Sequence, residues 1–220
     1  DALPICPPLH ASLRLHKFQR PAARRSGYKK DCKGNCSAGL HTICTDRNRT
    51  WDRKKKYREK YGNVFEKGGV NISAVHGKLP DTMQKMFGVG EADFFACGLS
   101  LVIHPKNPMV PTVHANWRYF EMYDENGNII NQWFGGGQDL TPYYLFEEDA
   151  KHFHQTCKTA CDKHNPEFYP NYKKKCDEYF WNAHRNEARG IGGLFFDYLK
   201  ATEQISMEDW FNFVTEVGNS

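Results

Sequence analysis

Apolar and polar positions alternate through much of the chain after residue 62, and the period of that alternation then changes. Val70-Asn71-Ile72-Ser73-Ala74 predicts a half-buried strand that ends at the turn-forming Gly77. Phe95, Cys97, Leu99, Leu101 and Ile103 fall on one side of a second strand, with Ala96, Gly98, Ser100, Val102 and His104 on the other. Pro105, Pro108 and Pro111 close it. A third strand is predicted over 112–120, where successive side chains point oppositely. Thr112, His114, Asn116 and Arg118 share one side, and Val113, Ala115, Trp117 and Tyr119 the other. Asn126-Gly127 suits a tight hairpin turn, 129–134 supplies the returning strand, and Gly135-Gly136-Gly137 ends it.

Beyond that point the period lengthens. Thr141-Pro142 predicts a helix entry, and Glu147, Glu148 and Asp149 place negative charge in a first turn, as the helix dipole favours. Ala150, Phe153, Cys157, Ala160 and Cys161 repeat at helical spacing until Asn165-Pro166 breaks the run. A second helix over 171–185 carries Tyr172, Cys176, Phe180 and Ala183 as a stripe. Residues 190–196 read as a strand, and 207–217 as a helix with Trp210, Phe213, Val214 and Val217 inward. The pattern predicts an α+β domain with a sheet that is at least partly antiparallel.

Residues 1–62 lack such periodicity and are interrupted by Pro4, Pro7, Pro8 and Pro21. They are basic, with no acidic residue between Asp1 and Asp31, and a second basic knot runs from Arg53 to Lys60. This is the composition of a disordered leader or a transit peptide, although serines are few. The body of the domain is therefore placed at 63–220. The whole chain has 220 residues and a formal charge of +4. Its basic stretches could attract nucleic acid, anionic lipid or a polycarboxylate; a solvated basic surface is the commoner role. Tyr57 is the one aromatic among the basic residues from Arg53 to Lys60, fewer than a single-strand nucleic-acid platform would want, so no nucleic-acid partner is expected. No apolar run reaches the length of a membrane span, which predicts a soluble protein. The eight cysteines are too sparse for a disulfide-stapled secreted domain. Cys97, Cys157 and Cys161 are expected as buried thiols in a reducing compartment.

His114, Asn116 and Arg118 are neighbours about 7 Å apart on one strand side. Arg118 can grip a carboxylate through two nitrogens, Asn116 can donate and accept, and His114 can move a proton near neutral pH. The plain alternative is one solvated face of an antiparallel sheet. Asp139 follows the glycine run, where it could cap a helix or act as an acid–base group. The glycines match neither a phosphate loop nor a dinucleotide fingerprint, and no His-Glu-x-x-His pair is present.

Several runs together resemble the oxygen-dependent coproporphyrinogen oxidase family. They are Val64-Phe65-Glu66-Lys67-Gly68-Gly69-Val70-Asn71-Ile72-Ser73, Ile103-His104-Pro105-Lys106-Asn107-Pro108, His114-Ala115-Asn116-Trp117-Arg118-Tyr119-Phe120, Trp133-Phe134-Gly135-Gly136-Gly137, Asp139-Leu140-Thr141-Pro142, His184-Arg185-Asn186-Glu187 and Arg189-Gly190-Ile191-Gly192-Gly193-Leu194-Phe195-Phe196-Asp197. Their order is the family's, and the resemblance covers about 62–199. It implies a flat, largely antiparallel sheet flanked by helices. It also implies oxidative decarboxylation of coproporphyrinogen III to protoporphyrinogen IX in haem synthesis. Molecular oxygen would be the co-substrate, and no cofactor is required.

By the same resemblance His114, Asp139 and Arg118 are catalytic, and Ser100, Asn116, Arg118, Arg185 and Arg189 bind substrate. His104, His114, His154 and His184 would hold a divalent metal if a bacterial-type site is kept. The family forms a homodimer, and a cytoplasmic setting is expected, with the mitochondrion as alternative. Family members carry a further C-terminal Arg-Gly-Arg-Tyr strand, so the domain is expected to be incomplete at its C-terminus. The alternative from another class is a catalytically inactive homologue that binds a porphyrinogen or a protein partner.

Overall fold

The computed structural model describes residues 57–60 and 63–220. Most of the expected leader, with Cys6, Cys32, Cys36 and Cys44, lies outside the described residues. Its end does not: β1 (Tyr57–Lys60) pairs antiparallel with β2 (Phe65–Lys78), so the sheet starts before the boundary that composition suggests.

The chain then turns back on itself four times. After β2 comes the short helix α1 (Asp81–Phe87), followed by β3 (Asp93–Pro105), β4 (Thr112–Tyr123) and β5 (Ile129–Thr141). Helices α2 (Glu147–Asp162) and α3 (Phe168–Tyr179) and a small hairpin of β6 (Trp181–Asn182) and β7 (Glu187–Ala188) precede β8 (Gly192–Leu199). Helix α4 (Met207–Asn219) closes the domain. The sheet is antiparallel in the order β1-β2-β3-β4-β5-β8.

Local chemistry sets the turns. Between β4 and β5 the Asp124 carboxylate accepts from the backbone N–H of Asn126 at 2.9 Å and of Asn128 at 2.8 Å, while Gly127 takes φ 80°. Those bonds, led by the ones from Asn128, hold the Asp124 carboxyl below the usual range. Helix α4 begins on a reciprocal cap: Ser206 Oγ accepts from the Asp209 N–H at 3.1 Å, and Asp209 accepts from the Ser206 N–H at 2.8 Å.

The two sheet faces meet different fates. Ala115 and Trp117 of β4 and Leu194 and Phe196 of β8 pack under helices α2 to α4, against Cys157, Ala160, Cys161, Tyr172, Trp210, Phe213, Val214 and Val217. Phe213, fully buried, meets the rings of Phe168, Tyr172, Phe196 and Trp210. On the opposite face one end is covered, where Leu79, Ala92, Met122 and Trp133 meet Met83 and Phe87 from α1. No helix of the described residues is long and apolar enough to cross a membrane.

Four expectations need correction. The glycines 135–137 do not end β5. A Cβ on Gly136 would fall on the Asn116 carbonyl oxygen, and one on Gly137 on the Leu194 carbonyl oxygen. The run therefore marks close strand packing rather than a stop. Thr141-Pro142 does not open a helix; α2 starts at Glu147, although the acidic first turn is where it was expected. The second helix stops at Tyr179, and 181–188 folds as the β6–β7 hairpin with Asn186 at φ 53°. Among the thiols, Cys157 and Cys161 are buried, but Cys97 is half-buried.

Candidate functional site

Strand register brings the polar residues together. Ser100 on β3 stands opposite Asn116 on β4, His114 stands opposite Asp139 on β5, and Arg118 lies between Gly98 and Gly135. Directly paired residues share a face, so Ser100, His114, Asn116, Arg118 and Asp139 all lie on the face that α2 to α4 leave open.

Asp139 is the most buried of them, its side chain 5% exposed. A buried carboxylate must be paired, and two partners serve it. His114 Nδ1 lies 3.2 Å from Oδ2, and Arg189 Nη2 lies 3.0 and 2.9 Å from the two oxygens. An ionised carboxylate can only accept, so Nδ1 carries the hydrogen, and a neutral His114 keeps its Nε2 lone pair for another partner. Asp139 sits inside β5 and caps no helix, which removes that reading.

Arg118 is also engaged. Its Nη2 donates to Asp197 at 2.8 Å and its Nη1 to Asn116 Oδ1 at 3.3 Å. Gly135 leaves the room for this pair, since a Cβ there would fall on the Asp197 carboxylate and lie 3.0 Å from Arg118 Nε. Both pairs on the face, Arg118–Asp197 and Arg189–Asp139, are neutral overall. A ligand carboxylate approaching Arg118 competes with Asp197 for it.

The end of α3 borders the same face. Tyr179 stacks on Phe195 at 4.2 Å, and the Phe180 ring lies 3.7 Å from the Arg189 guanidinium carbon. Sequence reasoning assigned no role to Asp197 or Phe180. The alternation of Gly193, Phe195 and Asp197 along β8 was the available signal for Asp197. Nothing local marks Phe180, because the helix was expected to continue through it.

Other expected residues do not join the group. Arg185 lies in the β6–β7 turn, where its Nε pairs with Glu187 at 2.7 Å, and it makes no ion pair with Asp139 or Asp197. The four histidines do not gather. His104 and His114 have ring centroids 6.3 Å apart, and His184 is exposed in the β6–β7 turn. His154 is engaged through both nitrogens: Nε2 meets the Ile191 carbonyl at 2.9 Å, and Nδ1 meets the Tyr169 hydroxyl at 3.1 Å. A carbonyl only accepts, so Nε2 carries the hydrogen and the Nδ1 lone pair takes the Tyr169 O–H. No lone pair of His154 is left for a metal. Among the described residues no three His, Cys, Asp or Glu side chains are placed to hold a metal ion. The four histidines of one chain thus do not fit a metal site in this arrangement.

Comparisons with known proteins agree on one family. Residues 44–220 match the model of the coproporphyrinogen III oxidase family. A Drosophila melanogaster protein named oxygen-dependent coproporphyrinogen-III oxidase is 56% identical over 162 residues, which is 70% of this chain and 40% of that protein. Proteins of the same name from Francisella tularensis subsp. holarctica (strain OSU18) and Francisella philomiragia are 55% and 53% identical over 161 residues, covering 72% of this chain and 51% of theirs. The chain thus spans about half the length of these relatives. The matched span holds the open sheet face with Ser100, His114, Asn116, Arg118 and Asp139, and the chain belongs to the coproporphyrinogen III oxidase family.

Proposed function

We propose that this chain provides the substrate-holding sheet for oxygen-dependent decarboxylation of coproporphyrinogen III to protoporphyrinogen IX. The observation that carries the reading is the buried Asp139 carboxylate, held by His114 and Arg189 on the same open face as Ser100, Asn116 and Arg118. The substrate is a reduced tetrapyrrole with four carboxylates. Arg118, with Asn116 and Ser100 beside it, supplies a charged grip for one of them. Asp139 accepts from pyrrole N–H groups and stabilises positive charge that develops on the electron-rich ring as oxygen takes its electrons. Two of the four propionates react, and each, with one added proton and one molecule of oxygen, gives a vinyl group, carbon dioxide and hydrogen peroxide. His114 donates or takes the proton through Nε2. The work of the protein is positioning and charge placement.

The reading includes a homodimer, to be checked by sedimentation, and a cytoplasmic setting, with the mitochondrion as alternative. The test adds oxygen to an anaerobic mixture of the protein and coproporphyrinogen III and follows product fluorescence after oxidation. Asp139→Asn is expected to lower turnover by about a hundredfold or more while binding of coproporphyrin III, the stable tetracarboxylate, changes little. A wild-type chain that neither binds coproporphyrin nor turns over would reject the reading, as would an Asn variant with wild-type turnover.

A further inference from the structure

We propose that Arg189 is a positioning residue that holds Asp139 in place, rather than a grip for a substrate carboxylate. The inference rests on the role given to Asp139 above and deepens it. A single nitrogen, Nη2, meets both carboxylate oxygens at 3.0 and 2.9 Å, so the carboxylate cannot rotate without losing one bond. The guanidinium carbon lies 3.7 Å from the centre of the Phe180 ring. That contact shields one side of the group. Among the described residues the buried Arg189 Nε has no hydrogen-bond partner, which is a cost the side chain bears for this geometry.

The backbone that delivers Arg189 is fixed as firmly. Its N–H donates to the Phe180 carbonyl at 3.3 Å, and two residues later the Ile191 N–H donates to the Leu140 carbonyl, beside Asp139, at 3.0 Å. Gly190 makes that approach possible, since a Cβ there would fall on the Leu140 carbonyl oxygen and φ is 65°. The Ile191 carbonyl is in turn held by His154 Nε2 at 2.9 Å. His154, Tyr169, Phe180 and the 189–191 backbone thus form one clasp that ends at the Asp139 carboxylate. Arg118 and Arg189 are similarly exposed, at 41% and 37%, but their partners differ: Asp197 is 27% exposed and Asp139 5%, so the Arg118–Asp197 pair can open to a ligand.

The test is a double-variant cycle with Arg189→Met, which keeps an apolar stem on Phe180, and Asp139→Asn. Coproporphyrin III binding, turnover and urea midpoints are measured on wild type, both single variants and the double. The expected result is that Arg189→Met lowers kcat by about a hundredfold, leaves the coproporphyrin Kd within about threefold, and adds almost nothing to Asp139→Asn. Arg189→Lys should recover part of kcat. A Kd raised about tenfold or more in Arg189→Met, with effects that add to those of Asp139→Asn, would show a substrate grip and overturn the proposal. If the wild type shows no turnover, the functional reading fails separately. The urea midpoints then decide: coupling between the two sites supports the clasp, and simple additivity defeats it.

Discussion

The thiols of Cys161 and Cys176 are buried among the helices, and burial pushes both up to about 12 from an ordinary value of 9.0. Cys97 is pushed up to about 11, first by burial and then by Glu121. Cys157 and the Tyr172 hydroxyl move in the same direction, again mainly through burial. A raised acid binds its proton more tightly in the folded chain than in the unfolded one. From about pH 9 to pH 12 the unfolded chain therefore releases protons that the folded chain keeps, and stability falls as pH rises. Below pH 9 the contribution is constant. The expected outcome is a urea midpoint that drops between pH 8 and pH 10.5, with a smaller drop in Cys176→Ala. Equal slopes in the two proteins would show that this thiol is not responsible.

Among the elements, β5 has the tightest surroundings, and its glycines separate two kinds of damage. A methyl group at Gly135 meets the far ends of two flexible side chains, Asp197 and Arg118. One at Gly137 meets the Leu194 backbone, which cannot move without shifting β8. Gly135→Ala should keep the fold and lower coproporphyrin affinity on the order of tenfold, because the methyl group displaces the Arg118 guanidinium that grips a carboxylate. Gly137→Ala should cost about 1–3 kcal/mol of stability. Urea midpoints and fluorescence titrations on both variants check this, and a reversed order would refute it.

The same strand shows what the sequence could reveal. Alternation identified β3, β4 and the start of β5, because one face is apolar and the other polar. It failed at Gly135, where a glycine signals a turn and close packing equally well. The stripe Tyr172, Cys176, Phe180 and Ala183 keeps helical spacing past the true end of α3, since periodicity alone does not register the turn held by Asn182 and Asn186.

At the scale of the whole molecule, the shared face was legible from parity within strands, but its charge pairing was not. Arg118 and Asp197 lie 79 residues apart and Asp139 and Arg189 lie 50 apart. Both pairings depend on how β8 registers on β5 after two helices, and no local pattern encodes that. The strand order also has a kinetic side. From β1 to β5 each strand pairs with its neighbour in sequence, whereas β8 reaches β5 only after α2, α3 and a hairpin. Closing a short hairpin costs less chain entropy than closing that long excursion, so the meander is expected to form first and β8 to dock late. In a stopped-flow series, Met122→Ala within the meander should slow refolding, while Phe196→Leu in β8 should mainly speed unfolding. The opposite assignment would place β8 in the nucleus. On the expected route a folding chain carries His114 and Asp139 side by side well before Arg189 arrives, so the last contacts to form are those that complete the site.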